Sequence, residues 1–92
     1  EDMIPDNYEL GKSYPNPFNP ITNIQYGIPE ADFINLSVYD INGKLIEILD
    51  QGNKVAGYYT IVWNAQYVPS GTYFIRFSTS TYNATQKVSL IK

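Results

Sequence analysis

The stretch Ser13–Pro20 has the sequence SYPNPFNP, with three prolines and two asparagines among eight residues. Each proline ring fixes φ and removes a backbone donor, and the residue before it is pushed towards an extended conformation. Asparagine side chains bond to nearby backbone and tolerate turns. The stretch is therefore incompatible with a helix or a central strand. Because Tyr14 and Phe18 lie inside it, we expect a stiff loop anchored by aromatic side chains against a folded body.

Beyond this loop, apolar and polar residues alternate with a period of two, which is typical of half-buried β-strands. No segment shows an apolar stripe with helical spacing. Together with a short edge strand near Tyr8–Leu10, the pattern predicts an all-β fold, an immunoglobulin-like β-sandwich of about seven antiparallel strands. The inward side chains are expected at Ile24, Tyr26 and Ile28; Ile34, Leu36 and Val38; Ile46 and Ile48; Tyr59, Ile61 and Trp63; Tyr73, Ile75 and Phe77; and Val88 and Leu90.

Turn signals separate these segments. Asn42-Gly43 predicts a tight hairpin, because both residues accept positive φ, and Pro69-Ser70-Gly71 predicts a turn. The segment Tyr58–Trp63 is apolar on both faces, so we expect it to lie in the centre of its sheet. With 92 residues, the chain is long enough for one small domain. We expect a linker over residues 1–12 and a single domain over residues 13–92.

Composition excludes several classes of function. The net charge is −3 and the six basic residues are scattered, whereas a nucleic-acid-binding domain usually has a basic face. The chain has no cysteine and no histidine, which excludes zinc sites of the usual kind, thiol nucleophiles and imidazole catalysis. No apolar run could span a bilayer, and the first residues are no signal peptide. We expect a monomeric isolated domain without a cofactor.

Carboxylates are the remaining candidates for chemistry. Two catalytic carboxylates must face one cleft at a defined separation, and Asp40 and Asp50 are expected at opposite ends of the sheet. Glu30 and Asp32 share a loop without a neighbouring nucleophile, so we do not expect an enzyme. The sequence Asp40–Gly43 matches the opening of a calcium-binding loop only in part. A hairpin turn in which Asp40 caps backbone donors is the favoured interpretation.

Tyrosines suggest another possibility, because sugars stack on aromatic rings. Tyrosine is also common on the outer faces of sheets for packing reasons alone. Tyr58, Tyr67 and Tyr82 are the candidate sugar-stacking residues, expected outside the core. They keep open an accessory carbohydrate-binding module of a secreted polysaccharide-degrading enzyme, and a structural spacer is a further alternative.

Four segments, in order, resemble the C-terminal sorting domains of the type IX secretion system. Ser13–Thr22 resembles the YPNPFNP-x-T opening, and Val38–Lys44 is similar to the family's VYDxxGK hairpin. Trp63–Phe74 is similar to its WDA and SGxYF segments, with Asn64 where the family more often has Asp, and Lys87–Lys92 resembles its closing strand. The similarity spans residues 8–92. The fold is also similar to the immunoglobulin-like domain of flagellar hook-capping proteins, so fold alone does not determine function.

The resemblance implies a non-catalytic module that directs attached cargo across the outer membrane to the cell surface or the medium. Upstream cargo in the same chain would pass through the periplasm. The outer-membrane secretion machinery would then recognise the folded domain, and a sortase-like peptidase would cut in the linker, residues 1–12. The positions carried over as recognition candidates are Pro17, Asp40, Gly43, Gly71, Tyr73, Lys87 and Lys92.

Lys87 and Lys92 are the candidates that folding explains least, which makes them the better candidates for receptor contact, and an ordinary solvated charge at a strand edge stays open as the alternative for each. The terminal strand that carries Lys87 would be recognised by strand-edge pairing or by electrostatic contact.

Overall fold

The structure is a computed structural model that describes residues 4–92. A three-stranded sheet in the order β1-β2-β5 packs against a four-stranded sheet in the order β4-β3-β6-β7. All pairs of strands are antiparallel, which confirms the predicted immunoglobulin-like β-sandwich. Over residues 4–92, no helix is long and apolar enough to cross a membrane. The strands are β1 (Glu9–Leu10), β2 (Ile21–Ile28), β3 (Asp32–Tyr39), β4 (Leu45–Lys54), β5 (Gly57–Asn64), β6 (Gly71–Ser78) and β7 (Asn83–Leu90).

The core forms where the predicted inward side chains of the two sheets meet. Trp63 is fully buried in it, and its ring lies 5.2 Å from the ring of Phe18 and 5.8 Å from that of Tyr73, measured between centroids. Burying large aromatic side chains is the main stabilising term in a domain of this size. The buried members that the alternation predicted are Ile24, Tyr26, Ile28, Ile34, Leu36, Val38, Trp63, Tyr73, Ile75, Phe77, Val88 and Leu90.

Strand β4 departs from the predicted alternation. Its register against β3 shifts twice, so that Ile46 and Leu49 are extra residues without a direct partner. Such bulges change which face a side chain takes. Ile46 and Leu49 pack against the core, whereas Ile48 is 46% exposed, and the prediction that Ile48 lines the core was wrong. Glu47 accepts a 3.2 Å hydrogen bond from Trp63 Nε1.

Strand β5 lies at an edge of the three-stranded sheet, so its predicted central position was wrong. The prediction assumed that a strand with apolar side chains on both faces has both faces covered. Here the outer face meets solvent, and Tyr58 and Val62 remain 42% and 58% exposed.

The loop Ser13–Pro20 crosses from one sheet to the other, and its three X–Pro peptide bonds are cis. At one end Tyr14 exchanges two 2.9 Å backbone hydrogen bonds with Asn23 of β2. At the other end Phe18 inserts into the core at 2% exposure. Phe18 is thus the predicted aromatic anchor, whereas Tyr14 is 78% exposed and anchors nothing through its ring.

Part of the predicted linker packs on the domain. Pro5 is buried over Gly27, where an added Cβ would lie 2.9 Å from the proline ring. Tyr8 donates a 2.7 Å hydrogen bond to Asp32, and the N–H of Gly11 donates one to the carbonyl of Gln25. Residues 5–11 are therefore fixed to the sandwich, while residues 1–3 lie outside the described residues.

Candidate recognition surface

The sandwich has two ends, and most of the predicted recognition residues share one of them. We call it the hairpin end: β3, β5 and β7 finish there and β2, β4 and β6 begin there. Lys87 lies within β7, opposite Phe74 and away from the hairpin end. The predicted residues at or next to the hairpin end are Pro17, Asp40, Gly43, Gly71, Tyr73 and Lys92.

Asp40 and Gly43 build the β3–β4 hairpin. Asp40 Oδ1 accepts hydrogen bonds from the N–H of Asn42 at 2.8 Å and of Lys44 at 3.0 Å, and its carbonyl accepts one from the N–H of Gly43. Gly43 has φ +81°, in the left-handed region that glycine tolerates best. This is the favoured hairpin interpretation, and across residues 4–92 no cluster of three potential metal ligands is found.

Tyr73 connects the core to the β5–β6 loop. Its hydroxyl donates a 2.6 Å hydrogen bond to the carbonyl of Pro69, which fixes the turn that precedes Gly71. Burial, together with the negative charge of Asp40, raises the pKa of Tyr73. The residue therefore stays neutral and serves to hold this end of the molecule rigid.

The two candidate lysines differ in their surroundings. Lys92 Nζ donates a 2.7 Å hydrogen bond to the carbonyl of Gln66, and the Lys92 N–H donates to Ser70 Oγ at 3.1 Å. Lys92 thus has a structural role that the sequence did not reveal. The side chain of Lys87 is exposed on the outer face of β7, which leaves it the better placed of the two for contact with a partner.

A shallow groove of about 480 Å³ lies on the outer face of the four-stranded sheet beside the hairpin. Phe74 and Tyr39 contribute apolar surface, and Ile41 at its rim is 70% exposed. Arg76 brings a positive charge to the groove. Sequence reasoning missed Arg76 and Phe74 as site residues; their outward positions on a strand next to a hairpin were the available signal.

The three tyrosines proposed for sugar stacking do not form one platform. Tyr67 is 91% exposed in the β5–β6 loop at the hairpin end, while Tyr58 is the second residue of β5, near the opposite end. Tyr82 is half-buried, and its ring lies 5.7 Å from that of Tyr8 and 6.0 Å from that of Phe77. The sandwich therefore separates Tyr67 from the other two.

The outer edge of β7 is already occupied near its end. The N–H of Phe18 donates to the carbonyl of Ser89 at 2.9 Å, and the N–H of Ile91 donates to the carbonyl of Phe18 at 3.0 Å. Asn16 accepts a hydrogen bond from the Ser89 N–H and donates one to the carbonyl of Lys87. The expected strand-edge pairing to this part of the strand is therefore wrong, because the loop Ser13–Pro20 takes the same hydrogen-bonding groups.

The sequence comparison agrees with these features. A model of the family described as the secretion system C-terminal sorting domain matches residues 12–92. The chain belongs to this family. No curated protein and no solved structure matches it. The match begins one residue before the loop Ser13–Pro20 and spans both sheets except β1.

The sorting domain is a C-terminal sorting signal for type IX secretion, as the motifs predicted. Its family consists of sorting signals rather than of enzymes. A domain of this kind interacts with the secretion machinery and accompanies a cargo in the same chain. Its role is export of that cargo to the cell surface or the medium.

Proposed function

We propose that the sorting domain works without catalysis, as a rigid label that the outer-membrane secretion machinery recognises after folding. Its main acidic side chains serve the fold. Asp32 accepts hydrogen bonds from Tyr8 and Ser80, Asp40 caps its own hairpin, and Asp50 accepts a bond from Tyr26 and pairs with Lys54 at 3.3 Å. Carboxylates held in this way are poor candidates for proton transfer or nucleophilic attack. The isolated domain is a monomer in this proposal.

The recognition residues fall into two groups in this proposal. Pro17, Gly43, Gly71 and Tyr73 act by giving the hairpin end its shape. Asp40 belongs with them, because its carboxylate bonds to the hairpin backbone.

Lys87 and Lys92 form the second group, on and after β7. Lys87 contacts the machinery directly through its exposed ammonium group, and Lys92 contributes mainly by fixing the β5–β6 loop. The groove beside the hairpin, with Arg76 in its lining, adds a second positive charge to the same outer face.

In the proposed route, cargo crosses the periplasm with the domain attached, and a sortase-like peptidase then cuts in the linker, residues 1–12. A peptidase needs an accessible, extended segment. Pro5 is buried and Gly11 is hydrogen-bonded to β2, so cleavage at either of these residues would require the segment to detach locally from the sandwich. The family match over residues 12–92 is the observation that carries the proposed function.

The experiment is a reporter fused upstream of residues 1–92 and expressed in a host with the type IX machinery. We expect the reporter on the cell surface or in the medium, and in the periplasm of a strain without the machinery. Retention in both strains, with the domain folded, would refute the proposal. Lys87→Ala should reduce export without a change in stability. Lys12→Ala, which removes another exposed lysine, should leave export unchanged.

A further inference from the structure

The two sheets have four edge strands, and three of them carry features that block the addition of another strand. Natural sheets protect their edges with short strands, bulges, charges or covering loops. Strand β1 has only two residues, and the loop Ser13–Pro20 covers the end of β7. Strand β4 has two register shifts and three charged residues, Glu47, Asp50 and Lys54.

Strand β5 has none of these features. Its eight residues, Gly57–Asn64, include no proline and no charged residue. They pair with β2 in one unbroken register from Ile28↔Gly57 to Ile21↔Asn64. A long, regular, uncharged edge strand can pair readily with a strand of another chain. Because the other three edges are protected, the edge of β5 is the candidate for binding an added strand.

The hydrogen-bonding groups on this edge can be assigned from the neighbouring strand. Asn23 bonds through its N–H and carbonyl to Tyr14, and the Gln25 carbonyl accepts from Gly11. These β2 residues thus point away from β5. Their partners in register are Val62 and Thr60. In an antiparallel pair, directly opposed residues alternate between bonding each other and pointing apart. The N–H and carbonyl groups of Thr60 and Val62 therefore point outward, towards an added strand.

Side chains beside the edge define what would bind there. On the outer face, Tyr58 and Val62 are 42% and 58% exposed, and Thr60 between them is uncharged, so this face suits apolar side chains. On the inner side, the Glu47 carboxylate lies 3.2 Å from Trp63 Nε1. Among residues 4–92, the single salt bridge is Lys54–Asp50, so no basic side chain lies within 4 Å of Glu47.

We propose that the outer edge of β5 is the docking site for an extended strand of the secretion machinery. The added strand forms backbone hydrogen bonds with Thr60 and Val62, as in other cases of β-augmentation. It places apolar side chains over Val62, and a lysine or arginine opposite Trp63, next to Glu47. This proposal rests on the proposed sorting function and adds a second contact surface, in the other sheet from Lys87.

The first test is export of the reporter fused to three variants. Val62→Pro removes an outward N–H, and edge strands tolerate proline where that N–H faces solvent. Thr60→Lys places a charge on the same edge. Gln25→Lys is the matched control, because Gln25 lies directly opposite Thr60 on the same outer face but belongs to the central strand β2.

We expect Val62→Pro and Thr60→Lys to reduce export at least tenfold while the thermal midpoint stays within about 5 °C of wild type. Gln25→Lys should be exported normally. Normal export of a folded Thr60→Lys variant would overturn the proposal. Loss of export in Gln25→Lys would also overturn it, since the machinery would then contact the face rather than the edge. If the wild-type fusion stays in the periplasm, the sorting function itself fails.

The second test is independent of export and uses amide hydrogen exchange in the 92-residue chain. The proposal requires an open edge, so the amides of Thr60 and Val62 should exchange much faster than those of Ile61 and Trp63, which bond to β2. Slow exchange at all four positions, with a dimeric mass in sedimentation, would show that a second copy occupies the edge. That result would overturn the assignment to the machinery.

The charge beside the edge gives a third test. Glu47→Gln removes the negative charge but keeps an oxygen that can accept from Trp63 Nε1. We expect several-fold weaker export for this variant. Glu9→Gln, which changes an exposed carboxylate of β1, should be exported as well as wild type. Equal export of both variants would refute the basic side chain assigned to the docked strand.

Discussion

The hydroxyl of Tyr8 donates a 2.7 Å hydrogen bond to Asp32 Oδ2, which joins the segment before the family match to the start of β3. Ser80 donates to the same carboxylate oxygen at 2.8 Å. These bonds stabilise the ionised form of Asp32 and lower its pKa, and the bond to Asp32 raises the pKa of Tyr8 to about 12. Three separate segments thus meet on one carboxylate.

This contact predicts how stability depends on pH. Asp32 has a lowered pKa in the folded state, so its contribution is complete above the unfolded value of 3.8 and is lost as the pH falls through the folded value. Tyr8 has a raised pKa, so its contribution is complete below pH 10 and is lost as the pH rises towards about 12.

Denaturant titrations across the pH range would measure both contributions. Asp32→Asn should lose less stability between pH 5 and pH 2 than wild type does, and Tyr8→Phe should lose less above pH 10. An unchanged acid profile in Asp32→Asn would contradict the role given to this contact.

The packing of Pro5 on Gly27 predicts a specific effect of an added methyl group. In Gly27→Ala, the new Cβ would lie 2.9 Å from the Pro5 ring and 3.1 Å from the Tyr58 ring, so residues 5–8 should detach. Chymotrypsin should then cleave after Tyr8 several times faster than in wild type. Cleavage after Tyr67, which is 91% exposed at the other end, serves as the internal control and should not change.

Asn16 and Asn19 offer a matched pair of substitutions in one loop. Asn16 forms two hydrogen bonds with β7, whereas within residues 4–92 Asn19 forms no side-chain hydrogen bond. Asn16→Ala should reduce the free energy of unfolding by about 1–3 kcal/mol, at roughly 0.5–1.5 kcal/mol for each bond. Asn19→Ala should change it by less than about 0.5 kcal/mol. Urea denaturation measures the difference. Equal losses of stability in the two variants would contradict a stabilising role for the hydrogen bonds between Asn16 and β7.

Two substitutions separate the shape of the hairpin from its charge. Asp40→Asn keeps an oxygen that can accept from Asn42 and Lys44, so stability should stay within about 0.5 kcal/mol of wild type. Asp40→Ala removes the acceptor and should cost about 1–2 kcal/mol. Because we assign Asp40 to shaping the hairpin, export should persist in Asp40→Asn and fall in Asp40→Ala. Loss of export in a stable Asp40→Asn variant would instead indicate direct recognition of the charge.

The number and kind of strands could be predicted because alternation is a local signal. Residues two apart share a face, so Ile34, Leu36 and Val38 identify the core without knowledge of their partners. Register is not local. The two shifts between β3 and β4 leave Ile46 and Leu49 without direct partners, and no feature of the β4 sequence alone shows which residue is extra.

The position of β5 illustrates the same difference. Two apolar faces suggested a central strand, but strand order is decided by partners distant in the sequence. The contacts between the loop and β7 are another example: Asn16 meets Ser89 across 73 residues, and Gln86 donates to Gly11 across 75. The sequence predicted a stiff loop, and only the folded chain shows which strand edge it covers.

The pairing of Phe18 with Ser89 and Ile91 has a consequence for synthesis of the whole polypeptide. The loop is synthesised before its partners, which leave the ribosome more than seventy residues later. A chain truncated before Ile91 lacks one or both of these partners, so the loop cannot form both hydrogen bonds with the end of the chain. The contact between the loop and the end of β7 therefore forms only after translation has reached Ile91.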